Sequence, residues 1–196
     1  MNPISHLSPA ITTMIRMDHT HVMSNFHKFE SGTSPTVKRG LVNTVCLALE
    51  IHAQLEEEIF YPALRQAGFQ DAALEKSVPE HDQMRRLIAQ LRDMEPGDPA
   101  CDATFMALMR DVLHHVADEE TVLLPAAERL LADRLRPLGA AMTRRRLELL
   151  APRGGELAVN LARSHPAVRG ALWLAAAAVT GTYVARRVST SRASRA

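Results

Sequence analysis

The sequence predicts an all-α protein, an up-down-up-down four-helix bundle over residues 1–136 with a C-terminal helical extension over 137–196. Three observations lead there. Aromatic residues make up only 4% of the chain while Ala, Leu and Met are plentiful, which favours helices over sheets. Clusters of Gly, Pro and Ser divide the first 136 residues into four long stretches. The chain also repeats itself at an offset of 62 to 63 residues (His19 to His81, His52 to His115), as two helical hairpins of one design would.

The first helix is expected from Ser8 to Glu30, ended by Ser31-Gly32-Thr33-Ser34-Pro35. The second starts near Thr36 and runs to about Gln66, with Gly68 as its stop. The third lies around Asp71 to Met94, with Pro79 a candidate for its true start, and Pro96-Gly97-Asp98-Pro99 ends it. The fourth spans about Ala100 to Arg134, bounded by Pro137. Pro62 and Pro125 fall near the far ends of the second and fourth helices, where a kink or break is expected because proline lacks the N–H that an α-helix needs.

Beyond residue 137 the character changes. A short basic helix, Leu138 to Leu150, carries Arg144-Arg145-Arg146. A loop is expected at Pro152-Arg153-Gly154-Gly155, then an Ala-rich apolar run, Ala171 to Ala185, and a solvated tail from Ser189. As a helix that fifteen-residue run spans about 22 Å, short of the roughly 30 Å hydrocarbon core. Packing on the bundle or self-association into a homo-oligomer is therefore favoured over a membrane anchor through 166–187.

Composition bounds the function. Hydrophobic residues are 46%, charged residues 23%, and the net charge is +1, so no nucleic-acid partner is expected. Cys46 and Cys101 stand alone, which suits a reducing compartment, and no basic-then-apolar segment opens the chain. A cytoplasmic location is the expectation.

The chemistry lies in the repeat. His52-Ala53-Gln54-Leu55-Glu56-Glu57 and His115-Val116-Ala117-Asp118-Glu119-Glu120 are both HxxxEE, each with a proline six residues after its first Glu. Asp18-His19 aligns with Glu80-His81. Residues four apart on a helix lie about 40° apart around its axis, so His52 and Glu56 share a face, as do His115 and Glu119. Met23 and Phe26 flank His19, and Met84 and Ile88 flank His81, so all six groups sit in apolar stripes facing the core. Buried carboxylates are very costly unless paired or bound to metal, and a cation removes that cost. Four imidazoles and two carboxylates without thiolate suit iron, manganese or zinc, and weigh against structural zinc. Of roughly twelve positions around two six-coordinate ions, four imidazoles, two bridging carboxylates and a bridging oxo or hydroxo group leave about two open.

This pattern of lone His, HxxxE, lone His, HxxxE resembles the hemerythrin-like HHE cation-binding family over roughly residues 11 to 131. The resemblance implies two non-haem iron ions held by His19, His52, Glu56, His81, His115 and Glu119, with Glu56 and Glu119 bridging. It further implies binding of a small ligand such as dioxygen, nitric oxide or peroxide. Oxygen-carrying members have a further His one turn before the third-helix ligand, where this chain has Ser77, and HxxxxD on the last helix, where it has HxxxE. Fewer imidazoles leave more room at the metals, which shifts the expectation from oxygen transport toward reaction with peroxide, nitric oxide or iron itself.

Three readings stay open: binding of a gas or oxidant, catalytic turnover of peroxide, and iron homeostasis or sensing. Among the remaining groups, His114 is expected to flank the site, and His21 and His27 to lie at the surface or behind it. His6 and His165 are expected to be solvated. Asp18 and Glu80 stand where a hydrogen bond to a neighbouring group behind the site is open to them, though this is not the leading reading. Glu57, Glu58, Asp118 and Glu120 are expected mainly as a charged face, with Glu57 close enough to Glu56 to add a donor. Tyr61 is expected to point away from the His52 face.

Overall fold

The computed structural model describes residues 8–30, 32–95 and 98–164. Among them there is no strand. The Ala-rich run 171–185, the tail, His6 and His165 lie outside the described residues.

Helix α1 (Ile11–Phe26) and α2 (Pro35–Leu55) form the first hairpin. Pro35 occupies the first position of α2, where its missing N–H is harmless. The backbone does not break at the end of α2. It widens into one π-helical turn, Glu56–Phe60, and continues as α3 (Tyr61–Gln66) until Gly68, whose φ of +80° suits a glycine stop. Helix α4 (Ala72–Asp93) begins at an Asp71 cap that accepts from the Ala73 N–H, and runs straight through the exposed Pro79, which is not its start. Helix α5 (Pro99–Asp118) is capped by Asp98, passes through a second π turn, Glu119–Leu123, and continues as α6 (Leu124–Leu130).

The two π turns are the structure's answer to Pro62 and Pro125, where a kink or break was expected. Each proline would push its ring against the carbonyl four residues back. Passing to hydrogen bonds five residues long avoids this: the Tyr61 N–H bonds to the Glu56 carbonyl, and Leu124 N–H to the Glu119 carbonyl. Glu56 and Glu119 each open one of the turns.

The four helices pack in antiparallel hairpins, with α1 against α2, α4 against α5, and α2 against α4. Two apolar clusters fill the interior. One contains Ile11, Ile15, Leu55, Phe60, Leu64, Leu74, Leu123 and Leu124. The other contains Val22, Val45, Leu49, Met84, Ile88, Phe105, Leu108 and Val112. A layer of buried polar groups separates them.

Residues 135–164 fold onto the bundle. Helix α7 (Leu135–Leu150) lies on α1 and α2, and starts before Pro137 rather than after it. The expected loop at 152–155 is instead a short 3-10 turn, Ala151–Arg153, leading directly into α8 (Gly154–Ser164) along α2. Two glycines permit this docking. A Cβ at Gly139 would stand 2.0 Å from the Pro9 carbonyl oxygen, and one at Gly40 would stand 2.6 Å from the Ser164 nitrogen. No helix among the described residues is long and apolar enough to cross a membrane.

Candidate metal centre

The polar layer is built one histidine per helix. His19 comes from α1, His52 from α2, His81 from α4 and His115 from α5, and all four are buried. Glu56 and Glu119 join them with no exposed side-chain surface. All six expected residues therefore meet. Their donor atoms fall into two groups: His19, His52, Glu56 and Glu119, and His81, His115 and Glu56, each with its atoms within 4.8 Å of one another. Glu56 belongs to both, and Glu119 Oε2 lies 3.1 Å from His19 Nε2 and 3.6 Å from His115 Nε2.

Every ring turns Nε2 inward and gives Nδ1 to a carboxylate from a neighbouring helix. His19 Nδ1 lies 2.8 Å from Glu120, and His52 Nδ1 lies 3.3 Å from Asp18. His81 Nδ1 lies 2.8 Å from Glu57, and His115 Nδ1 lies 2.9 Å from Glu80. Each carboxylate is the sequence neighbour of a buried His or Glu on its own helix. Asp18 and Glu80 thus take the hydrogen-bonding role that the sequence left open without favouring it. Glu57 and Glu120 correct it, since they are ring partners rather than part of the charged face. Glu58 stays on that face, paired with Arg145, and Asp118 pairs with Lys76.

Tyr61 is the second correction. In an uninterrupted α-helix it would face away from His52. The π turn takes up one extra residue, so Tyr61 stands over Glu56 much as a residue four further on does in an α-helix. It is fully buried, its hydroxyl donates to Glu119 Oε1 at 2.9 Å and reaches Glu56 at 3.2 Å, and His81 Nε2 is 3.4 Å away. The two prolines at matching places in the repeat were the available signal. His21, His27 and His114 are exposed, Cys46 is buried among apolar residues, and Ser77 spends its hydroxyl on the Ala73 carbonyl.

The electrostatics of the protein alone is frustrated. Burial, then the charge of Glu119, pushes the Glu56 carboxyl well above the usual range. Burial also opposes ionisation of Glu119, but the hydrogen bond from His19 and the charges of His115, His52 and His19 prevail and hold it low. His19 is raised to about 9: burial works against its charge, and Glu119 outweighs burial. His52 is lowered, chiefly by burial. His52 Nε2 and Glu56 Oε1 are buried with no hydrogen-bond partner. His81 Nε2 and His115 Nε2 face each other at 3.0 Å. Where both rings are neutral and give Nδ1–H to Glu57 and Glu80, two lone pairs meet there. The donor set fits cations placed between these atoms, which would satisfy both the orphaned atoms and the opposed lone pairs.

On one side the layer adjoins a small, partly enclosed space of about 10 Å³, walled by the four rings, Asp18, and Val22, Leu49, Met84, Val112 and Val116. Outside, an apolar cleft of about 590 Å³ between α1, α2, α7 and α8 reaches Asp18, His52 and Arg146.

Comparison with known proteins agrees with this geometry. Over 116 residues the chain is 28% identical to a protein of Nostoc sp. described as a DNA nickase, a match that takes in 59% of this chain and 33% of that one. The chain thus spans about a third of that relative's length. The crystal structure of a hemerythrin HHE cation-binding domain-containing protein from Mycobacterium kansasii superposes with a TM-score of 0.61 at 19% identity, covering 81% of this chain and 96% of the other. That likeness speaks for the fold. The family model of the hemerythrin HHE cation binding domain matches residues 10–127, so this chain, with its buried His and Glu layer, belongs to that metal-binding family.

Proposed function

We propose that His19, His52, Glu56, His81, His115 and Glu119 hold two non-haem iron ions, with Glu56 and Glu119 shared between them, and that the centre binds a small oxidant or gas such as dioxygen, nitric oxide or peroxide. The observation that carries this reading is the pair of opposed Nε2 atoms of His81 and His115, each ring fixed by a carboxylate behind it. Donors that are all nitrogen and oxygen suit iron. Iron supplies electron exchange with a small oxidant when bound. The chain's own residues do the rest. The Nδ1 carboxylates fix each ring's tautomer and direction. Tyr61 holds Glu119 in place. Val22, Leu49, Met84 and Val112 keep water from the rings, and the space beside them admits about one water-sized molecule. That size limit supports a ligand of two to four atoms over any larger substrate.

Turnover of peroxide is the second reading. It is favoured by one observation, a buried phenol proton at the carboxylate pair. Sustained oxygen release from added peroxide supports turnover, and a single stoichiometric reaction supports binding. The activity in the Nostoc relative's name stays with that protein, of which the match spans 33%.

The test is anaerobic titration of the iron-loaded, reduced protein with nitric oxide, beside Val112→Ile, which adds one methyl group's bulk at the wall of the small space. The variant should keep its iron and bind nitric oxide at least about tenfold more weakly, a change of roughly 1.4 kcal/mol. Equal affinity in the two proteins would contradict the assignment of that space to the ligand.

A further inference from the structure

Each of the four ring-holding carboxylates is itself held by a cation. Arg16 Nε bonds to Glu120 at 3.1 Å, Arg85 to Glu57 at 2.7 Å, and Lys76 Nζ lies 3.5 Å from Glu80. Those three cations belong to bundle helices. The fourth does not. Arg146, on α7 and outside residues 10–127, gives Nη1 and Nη2 to the two oxygens of Asp18, both at 2.6 Å. This is the only two-pronged grip of the four, and its carboxylate is the least exposed, at 17% against 25%, 28% and 32% for Glu57, Glu80 and Glu120. The oxygen that takes Nη2 also faces His52 Nδ1.

We propose that Arg146 is a positioning residue of the metal centre, through which helix α7 sets the place of His52 by way of Asp18. The physical ground is geometric. A planar guanidinium bound by two parallel hydrogen bonds fixes the plane of its carboxylate, which a single contact does not. Asp18 in turn offers His52 one oxygen in a fixed direction, and a ring held from behind by one such contact turns with it. Helix α7 is seated closely enough to act this way, because Gly139 lets its backbone meet Pro9. The segment after the family's four helices is thus part of the centre, and it acts on the His19–His52 side and not on the His81–His115 side.

This inference rests on the iron-binding reading, and the experiment separates the two. Iron-loaded protein is mixed with excess ferrous chelator, and release is followed by absorbance for the wild type, Arg146→Ala, Arg146→Lys and the control Arg145→Ala. Arg145 lies on the same helix but pairs with Glu58 and Glu148. In Arg146→Ala one of the two ions should leave up to about 10-fold faster, below the 10- to 100-fold loss of affinity usual when the group directly behind a metal-bound histidine is removed, while the other keeps its rate. Arg146→Lys should restore part of the loss and Arg145→Ala should match the wild type. Unchanged release in Arg146→Ala, or equal acceleration of both ions as from a general loosening, would overturn the proposal. Should Arg146→Ala fail to fold, Arg146→Gln takes its place under the same two outcomes. A wild type that binds no iron would defeat the metal reading alone. The relay is then read in metal-free protein by ¹⁵N spectra of the imidazoles. Arg146→Lys should move the His52 Nδ1–H signal and leave those of His81 and His115, and an unmoved His52 signal would defeat the relay itself.

Discussion

Replacing Tyr61 by Phe removes one oxygen from a fully buried side chain and leaves the ring in place. The packing should survive, since the ring lies against Phe60 and His81 with centroids 5.7 and 5.8 Å away. What is lost is the hydroxyl's 2.9 Å bond to Glu119, a carboxylate that stays ionised in the bundle, and its 3.2 Å approach to Glu56. A hydrogen bond to a charged partner contributes about 1.5–3 kcal/mol. In a chain of this size that corresponds to a fall in Tm of roughly 3–12 °C. The assay is urea and thermal unfolding of metal-free protein, followed by helical circular dichroism, with unfolding slopes compared to verify that the two native states are alike. In iron-loaded protein the loss should shrink, because the ions then take up the charge of Glu119. A loss below about 0.5 kcal/mol in the metal-free form, the size of an ordinary surface substitution, would refute the placement of the phenol over the carboxylates.

Other perturbations follow from the same geometry. Glu56→Gln should leave the metal-free protein as stable as the wild type or more stable at pH 7, because burial and Glu119 disfavour the Glu56 charge, yet it should weaken iron binding; a destabilised metal-free variant in urea unfolding would count against this. His19 is raised from 6.5 to about 9, so its contribution is fully present below pH 6.5 and is lost as pH rises through 9. The metal-free protein should lose on the order of 3 kcal/mol of stability over that window, and His19→Gln should flatten the profile. Gly139→Ala gains about 1 kcal/mol in helix propensity. Its Cβ would nevertheless stand 2.0 Å from a backbone oxygen that no rotamer can move, so a net loss of about 1–3 kcal/mol is expected in urea unfolding, with α7 lifting from α1.

The six residues of the centre were legible because the chain carries the pattern twice. His52–Glu56 and His115–Glu119 repeat with their flanking apolar residues, and only convergence in one core accounts for both. What sequence alone obscured follows from two physical causes. Periodicity assumes a constant turn, and the π turns at Glu56 and Glu119 shift the phase of everything after them, which is how Tyr61 reached the site against expectation. The prolines announced a disturbance, but whether it ends a helix or widens it depends on packing, and Phe60, Tyr61 and Leu64 are too well buried for the helix to end there. The second cause is that Glu57 and Glu120 stand one position from an inward residue. That offset of about 100° points away from their own helix's inner face and toward a ring on the next helix, which no single-helix pattern reveals. The reach of Arg146 back to Asp18 spans 128 residues and depends on the docking of α7, for which Gly139 was the one local sign.

The most direct test of the account is anomalous diffraction at the iron edge from crystals of aerobically purified, iron-loaded protein. Two peaks are expected within the polar layer, about 3.5–4 Å apart, one beside His19 and His52 and the other beside His81 and His115, with Glu56 and Glu119 between them. A folded protein that takes up no iron, or a single ion bound outside these six residues, would contradict it.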